Sequence, residues 1–350
     1  MIKWMMCATA AAALVPLLSG CGNGADADFF APENPAPSAN RLLTQQGQPL
    51  TPQQLLQKMR HSDVIYLGET HDNPHHHQMQ LQALTQLLDA GIRPALGFEF
   101  FFQQQTGWLM DFSLGQQESA LVGHNDGGEE SALRRRLGWT HKAQWQYYAP
   151  LLRLARQYQL PVFGADLDVG LRLRLSRTDV DQLTTLERRL LPKSDLDSEA
   201  YRQLMLEQLD QAHCHHADHD SLQRLYTTWL VRNEAMADAI VAMRADLTEA
   251  QPVVMILGKG HTEFNMGVVE RVAQRQPELR QLNIGLAEGQ TPGQLDFSPE
   301  AGPRRGGVQF DPAHSLYWVT EGRYHDALYD PCDVFRNHSV AVDEDDAGQG

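Results

Sequence analysis

Two tetrapeptides of the form Gly-x-x-His, Gly68-Glu69-Thr70-His71 and Gly258-Lys259-Gly260-His261, follow directly on short apolar runs, Val64 to Leu67 and Val253 to Leu257. Two further runs end in carboxylates: Ala95 to Phe98 in Glu99, and Val162 to Ala165 in Asp166 and Asp168. An imidazole offers nitrogen to a metal or a proton near neutral pH, and a glycine lets backbone approach a partner closely. Glu69, His71, Glu99 and His261 are therefore the candidate donor set. One chemistry open to them is holding a divalent ion such as zinc or manganese. Another is hydrolysis of an ester or amide, in which one Glu, its pKa raised by burial beside a second carboxylate, activates water. Neither a His-Glu-x-x-His pattern nor a Gly-x-Ser-x-Gly elbow occurs, which argues against the usual zinc and serine hydrolases.

Residues just past the carboxyl ends of neighbouring parallel strands converge on one crevice, where open α/β sheets bind ligands. Strands are predicted at Val64–Leu67, Pro94–Phe100, Pro161–Ala165, Val253–Leu257 and Leu282–Ala287, alternating with helices, as parallel βαβ units do. Pro52 opens a short helix, and Asn73-Pro74 reads as an N-cap followed by Pro at the first helical position. Residues 103–159 read as mainly helical around a glycine-rich loop, Gly123–Gly128, and Leu316–Thr320 as an edge strand. Between about 169 and 250 the pattern is helical only, with Leu222, Leu225, Trp229, Met236, Ile240 and Met243 at helical spacing. The fold class is α/β: a mainly parallel sheet flanked by helices, with a smaller all-helical subdomain inserted between strands, overhanging their ends.

At the start, Lys3, an apolar stretch from Ala8 to Leu18, and Leu18-Ser19-Gly20-Cys21 have the form of a lipoprotein signal peptide over residues 1–20. Cys21 is then the acylated mature N-terminus, and the Gly22 that follows it favours the outer membrane. Residues 21–50 read as a flexible tether, residues 51–335 as the folded domain, and 336–350 as a disordered acidic tail. A net charge of −15 without a long basic run gives no electrostatic footprint for nucleic acid. Cys214 and Cys332 remain as a possible disulfide pair in an oxidising compartment.

The segments Ile65 to His71, Gly97 to Phe100, Trp145 to Pro150, Pro161 to Ala165, Arg232 to Ala237 and Gly258 to Thr262 together resemble the ChaN-like haem-binding lipoproteins. These are part of a superfamily that includes Tiki, TraB and erythromycin-esterase-like proteins. The resemblance implies a role in haem and iron uptake, with haem bound by a homodimer through a Tyr oxygen, and a partner His near the propionates. Tyr147 and Tyr148 are the candidate phenols, with Tyr201 and Tyr226 open. His213, His215 and His216 belong to a ligand-dense run, and Trp229 and Met236 are candidates for the apolar wall. Of His75, His76 and His77, successive helix residues, at most one faces the crevice, and Arg134 to Arg136 read as a solvated face. Where relatives carry a basic residue and an acid after the second motif, this chain has Glu263 and Asn265.

Overall fold

The computed structural model describes residues 41–115, 126–192, 198–289, 295, 297, 302–320 and 332. The segments expected to be signal peptide, tether up to residue 40 and acidic tail, together with Cys21 and part of the glycine-rich loop, lie outside the described residues. In chain order the elements are β1 (Arg41–Thr44), β2 (Pro49–Leu50), α1 (Pro52–Arg60), β3 (Val64–Glu69), α2 (Pro74–Asp89), β4 (Ala95–Phe102), α3 (Thr106–Leu114), α4 (Asp126–Arg136), α5 (Trp145–Gln157) and β5 (Val162–Asp166). Then come α6 (Val169–Leu175), α7 (Thr185–Leu190), α8 (Glu199–Ala212), α9 (His219–Ala245), β6 (Val253–Gly258), α10 (Val268–Arg275), β7 (Gln281–Ala287), the hairpin β8 (Arg304–Arg305) and β9 (Val308–Gln309), and β10 (Leu316–Val319).

Eight strands form one sheet in the order β2-β1-β10-β7-β3-β6-β4-β5. From β10 to β5 every neighbouring pair is parallel, while β1 runs antiparallel to both β2 and β10. The chain leaves β3 towards β4 on one side and returns through β6 to β7 on the other, so β6 is inserted between β3 and β4. That places the ends of β3, β6 and β4, and with them Glu69, Gly258 and Glu99, at adjacent positions of a switch point.

Alternation along each strand divides the core into two layers. Ile65, Leu67, Leu96, Phe98, Val254 and Ile256 pack under Leu84, Leu87, Leu151 and Leu152 of α2 and α5. Val64, Tyr66, Val253, Met255 and Leu257 pack under Met236 and Ile240 of α9 and Val268 and Val272 of α10. Met236 is thus fully buried core rather than a ligand wall. The cap at Asn73 forms as the sequence predicts, its side chain accepting from the backbone N–H of His75 and His76.

Two sequence expectations are corrected. Residues 41–50, read as tether, are part of the sheet, because β1 borrows its hydrogen bonds from β10. Consequently β10 is not an edge strand: β1 covers one side of it and β7 the other. Among its described residues the insertion between β5 and β6 holds helices and no strand, as expected, and its helix α9 packs against β5 and buries Met236 and Ile240 on the sheet. Cys214, in the turn after α8, is joined to Cys332 by a disulfide with 5.6 Å between Cα atoms.

Among the described residues four histidines are buried, and two of them, His76 and His314, are fixed by neutral partners. His76 bonds the Thr70 N–H through Nδ1, and His314 pairs with Asn283 and lies flat on Gly285, where a Cβ would come 2.1 Å from the ring. Burial, and next the charge of Lys259, pushes both down to about 3 from 6.5. Their neutral form is the folded form, so the unfolded chain binds more protons below pH 6.5 and stability falls with acid. Between about pH 3 and 6.5 each contributes up to about 1.4 kcal/mol per pH unit, opposed by the solvent-screened His71 and by Glu263 and Glu270, whose pKa values are raised, the last two by burial. Thermal denaturation from pH 7 to 5 should therefore show a falling Tm that is flatter in His76→Leu and in His314→Gln; an identical slope in both variants contradicts the assignment. Gly285→Ala should cost about 1–3 kcal/mol in urea unfolding, since the Cβ must displace a packed imidazole.

Candidate functional site

Glu69, at the last position of β3, is buried with both oxygens engaged. Oε1 accepts from the Tyr148 hydroxyl at 2.6 Å and lies 3.2 Å from His71 Nδ1. Oε2 accepts from Gln80 Nε2 at 2.5 Å and lies 3.2 Å from His77 Nδ1. Burial alone would raise this carboxyl, but the bonds from His71, His77 and Tyr148 outweigh it and hold the group below its ordinary range.

Glu99 on β4 is likewise buried and ionised. Oε2 accepts from the Gly258 N–H at 2.6 Å, and Oε1 from Arg232 Nη2 at 2.8 Å and His261 Nε2 at 3.1 Å. Against burial, the charges around it, with Arg232 on α9 the permanent one, keep Glu99 well below its ordinary value. Arg232 also bonds both oxygens of Asp166 at the end of β5, at 2.9 and 3.1 Å, and Arg172 of α6 adds a bond of 2.8 Å. One guanidinium thereby fastens the helical insertion to the ends of two strands.

His261 is buried, and burial lowers its pKa despite Glu99, so the imidazole is neutral. Its Nδ1 lies 2.7 Å from Asn233 Oδ1, while Asn233 Nδ2 has no partner among the described residues. An amide turned to present that nitrogen donates to Nδ1 and leaves Nε2–H to donate to Glu99. The indole of Trp229 stacks on the ring at 3.9 Å.

His71 stands apart. More than half of its side chain, 54%, reaches solvent. Partial burial disfavours its charged form, yet the bond to Glu69 and the charges of Glu99 and Glu69 raise its pKa above the ordinary value. Its ring lies over Gly258, where a Cβ would meet Cε1 at 2.6 Å, while a Cβ on Gly68 would meet Lys259 Cα at 3.0 Å. Each motif's glycine is the space occupied by the other motif.

The four expected donors do converge, but not as a metal cage. Among the described residues no three His, Cys, Asp or Glu are placed to share an ion. The reason is visible in the bonds: Glu69 and Glu99 spend their oxygens inward on Tyr148, Gln80, Arg232 and the Gly258 N–H. The expected raised Glu pKa is also corrected, since each carboxylate has its own donors and neither shares a proton with the other.

Of the two phenols, Tyr148 is buried, donates to Glu69, and has its pKa pushed up by burial and by Glu69; a phenolate iron ligand there is corrected to a structural donor. Tyr147 is half-buried and stacks on His77 at 4.5 Å. Tyr201 is buried and its hydroxyl accepts from Trp229 Nε1; Tyr226 is buried core. His213, His215 and His216 do not reach the crevice. They lie in the turn before α9, ten or more residues ahead of Trp229 and so about 15 Å along the helix, and His213 and His215 bond locally to Leu209 O and Asp210. His76 and His77 are both buried, where surface exposure was expected for all but one of the three, because both pack between α2 and the end of β3. Arg134 donates to the carbonyls of Trp139 and Lys142. Asn265, in a left-handed conformation with φ 55°, accepts from Asn283.

Sequence reasoning missed Arg232, Asn233 and Gln80 as site residues, and did not single out His77 from its two neighbours. A signal existed for the first two: Arg-Asn-Glu in an otherwise apolar stretch of helix places three polar groups where burial requires partners. Glu234 finds Arg271 and Arg275.

Two substitutions test this geometry. Arg232→Met keeps volume and strands two buried carboxylates, so urea unfolding should show a loss of about 3–5 kcal/mol, partly recovered by adding Glu99→Gln. Gly258→Ala has permissive backbone angles, φ −63° and ψ 134°, and should fold while pushing the imidazole off; an NMR titration should then show the His71 pKa moving back towards 6.5.

A family model described as haem-binding uptake, Tiki superfamily, ChaN matches residues 55–272. Among curated proteins none matches the sequence. The structure is similar to that titled cofacial heme binding to ChaN of Campylobacter jejuni, at 14% identity and TM-score 0.59 over 82% of this chain and 98% of that one. It also matches an erythromycin esterase EreC variant in its open conformation, at 12% identity and TM-score 0.45 over 83% and 99%. A succinoglycan biosynthesis protein matches at 11% identity and TM-score 0.43 over 77% and 90%. The first likeness shows a shared fold, and the family model, covering more than half of the sequence, shows that the chain belongs to the haem-binding uptake, Tiki superfamily, ChaN family.

Proposed function

We propose that this chain is a lipid-anchored haem-binding protein of haem and iron uptake, acylated at Cys21, held at the outer membrane, and binding haem at the mouth of the strand-end crevice between two copies of itself. Family membership supports the ligand. The observation that carries the site is an aromatic wall running along the mouth: His71 meets Phe100 edge-on at 5.0 Å, Phe100 stacks on Tyr148 at 4.5 Å, and Tyr148 meets His77, which stacks on Tyr147 at 4.5 Å. Its outer members, His71, Phe100 and Tyr147, are partly open to solvent.

Such a wall suits a flat macrocycle, and its donors suit iron: an imidazole held by a carboxylate through Nδ1, as metal-binding histidines commonly are, and a phenol. Bound haem would supply the iron chemistry. The residues of this chain orient His71, keep Tyr148 protonated and fill the crevice floor with paired charges.

A second reading rests on the same exposed dyad. His71, supported by Glu69, could take a proton from water for ester or amide hydrolysis without a metal. The first reading is preferred because the wall beside the dyad is aromatic and the family is a haem-binding one.

Titration of the purified chain with haemin should give a saturable Soret shift. Loss of that shift in His71→Ala assigns the imidazole as axial donor, and loss in Tyr147→Phe assigns the phenol. Unaltered spectra in both variants, or no shift in the wild type, overturn the haem site. Sedimentation with and without haemin checks the dimer, and hydrolysis of a generic ester, abolished in His71→Ala, would favour the second reading.

A further inference from the structure

Eight large apolar side chains are exposed among the described residues, and five of them, Val169, Leu173, Val180, Leu186 and Leu190, fall within one stretch of the helical insertion. Their arrangement is orderly. Helix α6 turns Leu171 and Leu175 inward, which leaves Val169 and Leu173, one turn apart, on its outer face. Helix α7 buries none of its residues, and Leu186 and Leu190, 68% and 61% exposed, again stand one turn apart. An ion pair of 3.1 Å between Arg174 and Glu187 links the two helices that carry these apolar stripes.

The charges between them have one sign in excess. From Val169 to Leu190 the chain carries Arg172, Arg174, Arg177, Arg188 and Arg189 against Asp179, Asp181 and Glu187, in a protein whose net charge is −15. Two of those acids are engaged, Asp179 by Arg224 and Glu187 by Arg174. Arg177 and Arg189 are exposed and make no ion pair among the described residues. A face of protruding leucines and valines set among exposed arginines has the composition of elements that lie in the interfacial plane of an anionic bilayer, the apolar chains entering the acyl boundary and the guanidinium groups staying at the headgroups.

We propose that the α6–α7 face is where this chain lies against an anionic lipid surface, a contact separate from the acyl anchor and from the crevice. Charge decides between this occupant and a second copy of the chain. In a two-fold contact the same patch meets itself, which would set five arginines against five with Asp181 the one acid of the stretch not engaged. Phosphate headgroups answer them directly. An acyl anchor leaves the orientation of the folded part open, and this second contact fixes it.

The test places the acylated full-length chain on vesicles of phosphatidylethanolamine and phosphatidylglycerol, and in parallel on phosphatidylcholine alone. An environment-sensitive label is attached at Leu190→Cys or, as a reference, at Gln146→Cys on α5, and doxyl-labelled lipid serves as quencher. The expected result is a blue-shifted, lipid-quenched signal at position 190 on the anionic vesicles only, and a solvent-like signal at position 146. Arg177→Glu/Arg189→Glu should reduce the face-bound to free ratio by about fivefold or more per arginine, with the Soret response to haemin unchanged. The proposal is overturned if position 190 stays solvent-like on both vesicles, if the signal ignores the arginine changes, if the chain does not float with either vesicle, or if the label at 190 is shielded without lipid in a concentration-dependent way, the signature of self-association.

Discussion

Three strands of this sheet, β3, β4 and β5, carry buried carboxylates at or near their carboxyl ends, Glu69, Glu99 and Asp166, and removing such charges from water is tolerated only where donors replace the lost hydration. Most of the architecture around the crevice answers that requirement. Tyr148, Gln80 and His77 converge on Glu69 from α5 and α2. Arg232, His261 and the Gly258 N–H converge on Glu99, and the same Arg232 serves Asp166. The donors come from elements on both layers, so the compensation of charge and the docking of helices are one event. Because the carboxylates are satisfied from below, the group left facing solvent is the imidazole of His71.

The glycines of the two motifs have a role that is mutual. In sequence each suggests close approach of backbone to a ligand. In the fold the approach is of one motif to the other: Gly68 makes room for Lys259 and Gly258 for His71. This follows from register, since Glu69 lies opposite Gly258 in the parallel pair β3–β6. The duplicated pattern is then a matched pair of half-turns, and the placement of His71 depends on the absence of a methyl group on the neighbouring strand.

The sequence made the strand ends legible because each apolar run stops at a charge or a glycine, a contrast that survives without tertiary knowledge. It also made the inserted helices legible through their spacing. It did not disclose β1, since Arg41 to Thr44 has no periodic pattern of its own and is a strand only because β10 offers an open edge. Nor did it disclose Arg232 as the partner of Glu99, 133 residues away, since that pairing depends on how an inserted helix docks. The histidine-rich turn misled in the opposite direction. Composition drew attention to it, but only α9 itself, rigid over 27 residues, decides that its turn and the crevice lie at different heights.

The bond between Cys214 and Cys332 spans 118 residues, and Cys332 follows β10, the last strand of the sheet. Covalent closure must therefore wait until nearly the whole polypeptide has emerged, after every strand is available to pair. A truncated or stalled chain leaves Cys214 as an unpaired thiol between two imidazoles, His213 and His215, and so open to exchange or oxidation. The oxidation state of this pair thus records how far synthesis has gone: once Cys332 is joined, no thiol can be titrated at Cys214.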